Sequence, residues 1–320
     1  MAATITNYVV KGGSIKYDGS ATPQFKDKLN IIGAHFSTLE RFKATPVEEM
    51  NSFTTEEGYR AFNPLSVKES EAIRALQNEV RLDLSIEENF IVLLTKDFIR
   101  KQITMLENMT IDKFNANPIL CYALKLNNSR DFITYNAYQA ISRSIVTSMG
   151  FLVQDLLLFS NENIFEGKNY YEGKNTKWDL VIDKLDEVKS FLEIKSGFND
   201  MDAAQIKHYD EEINLVEQSG NKAFIGITYG KKDTRTVTSS LLETYVQDWR
   251  RKTLVGKELW DYVSENEGYH ETLITTINNT ANAMLNNDSI VRKINDKIDD
   301  LLLEFDTTYS NMDDYYNTLW

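Results

Sequence analysis

Cysteine is almost absent from this chain of 320 residues, with Cys121 as the single thiol. A lone cysteine excludes an intramolecular disulfide and suits a reducing compartment such as the cytoplasm. Long apolar runs are also lacking, since the best candidate, residues 149–159, is interrupted by Gln154 and Asp155. We therefore expect no membrane span and a soluble protein. The chain has no Walker A motif and no GxGxxG run, so nucleotide-driven chemistry is unsupported.

The chain has fewer basic than acidic residues, and the excess of acidic residues is unevenly distributed along it. The net charge is −13, with 35 Lys and Arg against 48 Asp and Glu. Residues 261–320 alone hold 12 acids and 3 bases, whereas residues 231–257 hold seven bases and three acids. Phosphate binding responds to the local field of a cleft, so the overall acidity does not exclude a nucleic-acid partner.

Capping patterns and periodicity predict mostly helices around a few strands. Ser66 with Glu69 and Ser85 with Glu88 form capping-box patterns, which predict helices from Val67 to about residue 82 and from residue 86 through Met105. The remaining helices are predicted at about 133–159, 203–218, 237–249, 257–263 and from 272 onward, and the strands at 178–183, 188–195 and 223–229. Residues 11–14 and 18–20 contain glycine and predict turns, while most of residues 1–65 stay unassigned.

Three polar side chains stand out within the two predicted strands of a hairpin. Alternate residues of a strand share a face, so Glu193 and Lys195 point one way and Leu192 and Ile194 the other. A turn centred on Asp186 places Asp179 directly opposite Glu193, because 186 is midway between them. Opposed carboxylates repel each other, and a bound divalent cation would remove that penalty. Mg²⁺ favours one or two carboxylates together with phosphate oxygens and water.

The Glu-x-Lys pattern by itself has little specificity, since it occurs four times. The other copies are Glu166/Lys168, Glu172/Lys174 and Glu187/Lys189. Only Glu193/Lys195 lies among apolar residues on a predicted buried strand with an acid on the preceding strand. The alternative reading is a solvated hairpin face that carries an ordinary cross-strand ion pair.

This arrangement resembles the PD-(D/E)XK nuclease superfamily, with Asp179 as the first acid and Glu193-Ile194-Lys195 as the (D/E)XK element. Trp178 stands where the family has proline. Gln205-Ile-Lys-His-Tyr209 is similar to a Gln-x-x-x-Tyr element of some members. Ala223-Phe-Ile-Gly-Ile-Thr-Tyr-Gly230 and Leu254-Val-Gly-Lys-Glu-Leu-Trp260 resemble a branch of type II restriction endonucleases that reads interrupted GGNCC-core sites. The resemblance covers roughly residues 140–280.

The resemblance implies an α/β fold with a mixed β-sheet core flanked by helices and extended by helical N- and C-terminal additions. It divides the chain into a helical region (1–125), a catalytic core (126–265) and an acidic helical region (266–320) that is a candidate for dimerisation. It implies a homodimer that cuts double-stranded DNA at a palindromic or interrupted palindromic site and leaves 5′-phosphates. Metal ligands are assigned at Asp179, Glu193 and Ile194 for Mg²⁺, and catalytic roles at Asp179, Glu193, Lys195 and Gln205.

DNA-binding candidates are the basic residues that could line a cleft, namely Arg143, Lys207, Lys231, Lys232, Arg235, Arg250 and Arg251. Two other functions stay open from the sequence. One is a repair or structure-specific nuclease of the same superfamily. The other is a non-enzymatic, acidic helical interaction protein with a degenerate nuclease core.

Overall fold

The computed structural model describes residues 4–53, 63–114, 116–167, 178–185, 187–198 and 201–319. Of the residues discussed above, Lys168, Glu172, Lys174 and Asp186 lie outside these ranges. The chain divides into two compact units, and each is described by itself. The first comprises residues 1–94 and 152–277, and the second comprises residues 95–151 and 278–320. The division into three regions made from the sequence stays a prediction.

Helices make up most of the described chain, and a short 3₁₀ helix lies at Ile111–Lys113. The α-helices are α1 (Ile5–Lys16), α2 (Pro23–Ala34), α3 (Leu39–Ala44), α4 (Val47–Met50), α5 (Val67–Glu79), α6 (Ile86–Glu107), α7 (Pro118–Ala123), α8 (Ser129–Leu158), α9 (Ala203–Gln218), α10 (Val237–Tyr245), α11 (Trp249–Lys252), α12 (Lys257–Ser264), α13 (Tyr269–Leu285), α14 (Ile290–Thr308) and α15 (Met312–Asn317). The strands are β1 (Ile164–Glu166), β2 (Leu180–Ile182), β3 (Ser190–Lys195), β4 (Lys222–Ile227) and β5 (Thr253–Val255).

The five strands form one mixed sheet in the order β1-β2-β3-β4-β5. Strands β1, β2 and β3 pair antiparallel, whereas β3, β4 and β5 pair parallel. The predicted α/β architecture with a mixed sheet and flanking helices is therefore confirmed. The carboxyl ends of β3, β4 and β5 meet at one edge of the sheet, together with the amino end of β2. Loops that follow parallel strands at this edge are the usual place for a site.

The predicted register of the hairpin is confirmed. Leu180 pairs with Leu192 and Ile182 pairs with Ser190, so the midpoint of the pairing is position 186. The paired segments are shorter than predicted, since the pairing stops at Ile182 and Ser190, and a connection of seven residues, 183–189, separates these two positions in the sequence. Charged residues at both ends of this connection favour solvent over further pairing.

Each face of the sheet packs against its own apolar cluster. One face carries Leu180, Leu192 and Phe224 against the end of α8 and against α12 and α13. The other face carries Val181, Phe191 and Ile225, which pack against Ile206 and Ile213 of α9. Alternation along β3 thus places Glu193 and Lys195 on the face that α9 covers. A further cluster belongs to the N-terminal helices, α1 to α5, and the beginning of α6.

The turn predicted at residues 11–14 is wrong, because these residues lie inside α1. A side chain at position 12 would meet Leu76 at 2.4 Å, and one at position 13 would meet Leu29 at 2.6 Å. Both glycines therefore serve close helix packing instead of a turn. The turn predicted at residues 18–20 is present, with positive φ at Asp18 and Gly19.

The capped helices follow the prediction closely. The capping box of Ser66 and Glu69 opens α5, and Ser85 and Glu88 exchange the same pair of bonds before α6. The helix predicted over 237–249 is instead broken. It ends at Tyr245, and Asp248 adopts a left-handed conformation before the short α11. Strands β1 and β5, with three residues each, were not predicted.

The second unit is helical in its described part. Its core contains Phe132 of α8, Phe305 of α14 and Tyr315 of α15. Helix α8 is long and apolar enough to cross a bilayer by length and composition alone, which is weak evidence because helices of soluble proteins pass the same test. Tyr138, Val146 and Met149 of α8 are exposed large apolar side chains of this unit.

Candidate active site

Asp179 lies one residue before β2, and the register of β2 and β3 places it opposite Glu193. The main chain of Asp179 is held on both sides, because its N–H donates to Leu192 O at 3.0 Å and its carbonyl accepts from Gly167 N at 2.9 Å. Its side-chain Oδ2 accepts from Ile194 N at 2.8 Å. Glu193 is buried, with 6% of its surface exposed. The structure therefore brings the two predicted acids together on one face.

Lys195 and Tyr209 both hold the same oxygen of Glu193. The Lys195 Nζ lies 2.7 Å from Glu193 Oε1, and the Tyr209 hydroxyl of α9 donates to that oxygen as well. The Lys195 ammonium also lies 5.4 Å from the centroid of the Tyr209 ring. Within the described part of the chain, Glu193 Oε2 and Asp179 Oδ1 take no hydrogen bond, so each acid keeps one oxygen available for a further ligand.

Electrostatics at this pair favour a positive charge. Burial, and next the neighbouring carboxylate of Glu193, raise the pKa of Asp179 to about 6, while the Ile194 N–H and Lys195 oppose that rise. Burial, followed by the hydrogen bond to Glu193, also raises the pKa of the Tyr209 phenol. Tyr209 therefore stays a neutral donor at physiological pH. A carboxylate with a raised pKa gains most from a nearby cation, which makes its ionised form less costly.

These donors fit a hard divalent cation. The N–H and C=O of one strand residue point to the same edge, so the Ile194 carbonyl lies on the side where Asp179 accepts the Ile194 N–H. The two carboxylates and this carbonyl are oxygen ligands of the kind Mg²⁺ takes. The described residues contain no group of three or more His, Cys, Asp and Glu that could hold a metal. A site with two protein carboxylates leaves positions for water and for phosphate oxygens.

Gln205, predicted to support the site, is placed at the start of α9. Its Oε1 accepts from Asp202 N at 3.1 Å, and its own N–H donates to Asp202 Oδ1 at 2.8 Å. This capping box begins the helix, and Tyr209, one turn later, is the residue that reaches Glu193. Tyr209 is the last residue of the Gln-x-x-x-Tyr segment, and the sequence alone assigned it no role in the site. Its spacing with the buried Ile206 and Ile213 is the signal that turns it toward the sheet.

Helix α9 is anchored to the segment before β5 by a buried lysine. Lys252 is 2% exposed, and its Nζ lies 3.0 Å from Asp210 Oδ1 and 2.8 Å from Asn214 Oδ1. Lys252 follows Arg250 and Arg251 in a run of three bases, but unlike those two residues it is buried. Because Asp210 follows Tyr209, this ion pair fixes the turn of α9 that carries the phenol.

The family model of the type II restriction endonuclease EcoO109I matches residues 86–284. The match spans all five strands and includes Asp179, Glu193, Lys195 and Tyr209. The chain belongs to this family. A comparison with curated proteins found no match. As a type II restriction endonuclease, the protein is a nuclease that binds and cleaves double-stranded DNA, and the match is wider than the resemblance over residues 140–280.

Three of the basic residues predicted to bind DNA form ion pairs with acidic residues of this endonuclease. Arg250 binds Asp233 at 2.9 Å, and Arg251 binds both oxygens of Glu217, at 2.7 and 3.2 Å. Lys232 lies 2.6 Å from Glu258. Each of these ion pairs would have to break before the basic residue could bind a phosphate.

The other candidates have no acidic partner in the described part of the endonuclease. Lys231 and Arg235 are exposed in the loop that follows β4. Lys207 of α9 is exposed and lies over the Tyr245 ring, 4.3 Å from its centroid. Arg143 is exposed on α8 in the second unit. The loop that contains Lys231 and Arg235 begins after the carboxyl end of β4, which lies beside the end of β3 that carries Glu193 and Lys195.

Proposed function

We propose that this endonuclease is a Mg²⁺-dependent enzyme of the PD-(D/E)XK type whose site is built from Asp179, Glu193 and Lys195. The observation that carries the proposal is the pair of opposed carboxylates, each with a free oxygen, beside a lysine at the carboxyl edge of the sheet. Asp179, Glu193 and the Ile194 carbonyl would hold the metal. When bound, Mg²⁺ would supply the positive charge that acidifies an attacking water and stabilises the attacked phosphate.

The residues of the chain divide the remaining work. Lys195 donates hydrogen bonds and positive charge toward the attacking water and the charge that develops on the phosphate. Tyr209 and Lys195 together hold Glu193 Oε1, which leaves Oε2 available for the metal. Asp179 must be ionised to serve as a ligand. Hydrolysis by water that breaks the bond to the 3′ oxygen leaves 5′-phosphates, which is the outcome we propose.

The proposal includes a homodimer that reads a palindromic or interrupted palindromic site, with a GGNCC core as the first candidate sequence. Two-fold symmetry of the protein matches two-fold symmetry of such a site. The second unit offers an apolar surface for the contact. Tyr138, Val146 and Met149 fall within roughly 80° of the circumference of α8 at 100° per residue, and all three are exposed. Light scattering that finds only monomer would contradict the dimer.

Digestion of phage DNA of known sequence in Mg²⁺ tests the enzymatic proposal. We expect discrete fragments whose ends share one sequence, no cleavage in EDTA, and no cleavage by Lys195→Ala. Lys189→Ala is the matched control, because it alters another Glu-x-Lys pair at the far end of β3. A smear or a preference for branched DNA would favour a repair or structure-specific nuclease. Full activity of Lys195→Ala would contradict the assigned site, and no cleavage at all would favour an interaction protein with a degenerate core.

The proposed location is the cytoplasm, where such an endonuclease meets incoming DNA. The buried, unpaired Cys121 suits a reducing compartment. Recovery of the protein in the membrane fraction of a cell lysate would contradict this location.

A further inference from the structure

Tyr229, the second residue after β4, is a large aromatic residue that is 65% exposed. It lies inside the matched family region, two residues before Lys231. None of the described residues forms a hydrogen bond with its hydroxyl. An exposed tyrosine in a rigid position near a reacting centre presents both an apolar ring and a hydrogen-bond donor to a partner.

The strand register places Tyr229 beside the catalytic lysine. Glu193 pairs with Ile225 and Lys195 pairs with Ile227, so the next step of the pattern brings Gly197 beside Tyr229. The Cβ of a residue at position 197 would lie 2.5 Å from the Tyr229 hydroxyl oxygen. The phenol therefore occupies the space of the missing side chain. Glu193, Lys195 and this phenol follow one another along the same face of β3, toward the carboxyl edge.

The main chain on both sides of Tyr229 is fixed. The Trp260 indole N–H donates to Thr228 O at 3.0 Å, and the Thr228 hydroxyl donates to Ser196 O at 2.8 Å. Gly230 has φ +111, and an added Cβ there would touch the Phe198 ring at 3.0 Å. These contacts join the segments that follow β3 and β4. The main chain that carries Tyr229 is therefore held on both sides.

We propose that the Tyr229 phenol contacts the sugar–phosphate backbone of the DNA strand that is cut, at a phosphate next to the one hydrolysed at Lys195. This inference rests on the proposed function. Tyrosine hydroxyls are among the usual donors to phosphate oxygens, and such contacts set the register of a protein on the duplex. The ring covers the neighbouring sugar, and Lys231 and Arg235 add positive charge to the same edge. Tyr229 thus positions the strand and takes no part in bond breaking.

Binding of fluorescent duplexes in Ca²⁺, followed by anisotropy, tests the contact. One duplex contains the cleaved sequence found by digestion, and a second duplex of mixed sequence lacks it. Because a hydrogen bond to a charged phosphate is lost, we expect Tyr229→Phe to weaken binding about tenfold on both duplexes. The slope of log K against log salt should stay unchanged, since a neutral phenol releases no counterion. Lys231→Ala should lower that slope by about 0.9.

Two further variants separate a DNA contact from a fault in folding. Gly197→Ala should displace the phenol and weaken binding as Tyr229→Ala does, whereas the two changes together should cost little more than either alone. Tyr17→Phe is the matched control, because Tyr17 lies at the end of α1. All variants should unfold at the same temperature as the unaltered protein.

Wild-type affinity and cleavage rate in both Tyr229→Phe and Tyr229→Ala would overturn the inference while the proposed function stands. A loss confined to the cleaved sequence would also overturn it, because that result indicates a base contact. If the unaltered protein cleaves no DNA, the proposed function falls and the inference falls with it. These outcomes are distinguished by the digestion of the unaltered protein alone.

Discussion

Replacing Asp179 with asparagine should make the metal-free protein more stable while abolishing cleavage. Burial and Glu193 raise the pKa of Asp179 from 3.8 to about 6. A shift of roughly two pKa units corresponds to roughly 3 kcal/mol at about 1.4 kcal/mol per unit. Asparagine has nearly the same shape, and its amide oxygen can still accept from the Ile194 N–H. The substitution therefore removes the charge penalty without leaving a cavity.

The sign of the effect follows from proton binding. The folded pKa of Asp179 lies above the unfolded value, so the folded protein binds the additional proton between about pH 4 and pH 6. The ionised carboxylate costs no stability below about pH 4, and the cost grows as the pH rises to 6, above which it is constant. The stability gained by Asp179→Asn should therefore be largest at pH 7.5 and should vanish near pH 4.

Denaturant unfolding in EDTA at pH 7.5, 6 and 4.5 measures the difference. We expect Asp179→Asn to gain on the order of 2–3 kcal/mol at pH 7.5, which is several degrees in Tm for a unit of this size. Asp27→Asn, the same change at an exposed position of the same unit, should have no effect. A gain that does not depend on pH, or a loss of stability at pH 7.5, would refute the reasoning.

Three further predictions follow from the same contacts. Mg²⁺ should raise the Tm of the unaltered protein more at pH 7.5 than at pH 5, and the rate of cleavage at limiting Mg²⁺ should fall below about pH 6, because the metal-free site then takes up a proton at Asp179. Lys252→Ala should cost about 1.5–3 kcal/mol of unfolding free energy, because it removes the hydrogen bonds of a buried ammonium to Asp210 and Asn214. Arg235→Ala should lower the salt slope of DNA binding by about 0.9, whereas Arg251→Ala should leave it unchanged because Arg251 is paired with Glu217.

Clear outcomes would contradict each of them. Equal stabilisation by Mg²⁺ at both pH values would show that Asp179 does not titrate as described. An unfolding free energy of Lys252→Ala equal to that of the unaltered protein would place this lysine in water. Equal salt slopes for Arg235→Ala and Arg251→Ala would mean that internal pairing does not decide which cations reach DNA.

The hairpin that carries the acids was predictable from the sequence because its information is local. The alternation of apolar and polar residues in β3 sets the face of Glu193 and Lys195, and the distance from Asp179 to Glu193 sets the register. Caps are equally local, which is why α5 and α9 begin where the sequence predicts.

Features that depend on tertiary packing were not predictable. Gly12 and Gly13 predict a turn by local rules, because the sequence does not show that Leu76 and Leu29 pack against them. Strand β5 has three residues and exists because β4 offers it a parallel partner. Lys252 resembles a surface base until Asp210 and α9 cover it.

The separate roles of the polar residues in the site could not be predicted from the sequence either. Gln205 and Tyr209 lie in the same segment, and only the direction of α9 decides that the glutamine caps the helix while the phenol reaches Glu193. The partners of the basic residues were likewise invisible in the sequence. Glu217 is 34 residues away from Arg251 and Asp233 is 17 residues away from Arg250.

The central claim is that the carboxylates of Asp179 and Glu193 share one divalent cation. Titration with Mn²⁺, with the free ion followed by electron paramagnetic resonance, tests it directly in the unaltered protein, in Asp179→Asn and in Glu193→Gln. The account predicts saturable binding at pH 7.5 that is lost in both variants and retained in Asp27→Asn. Equal Mn²⁺ binding by all four proteins would contradict it.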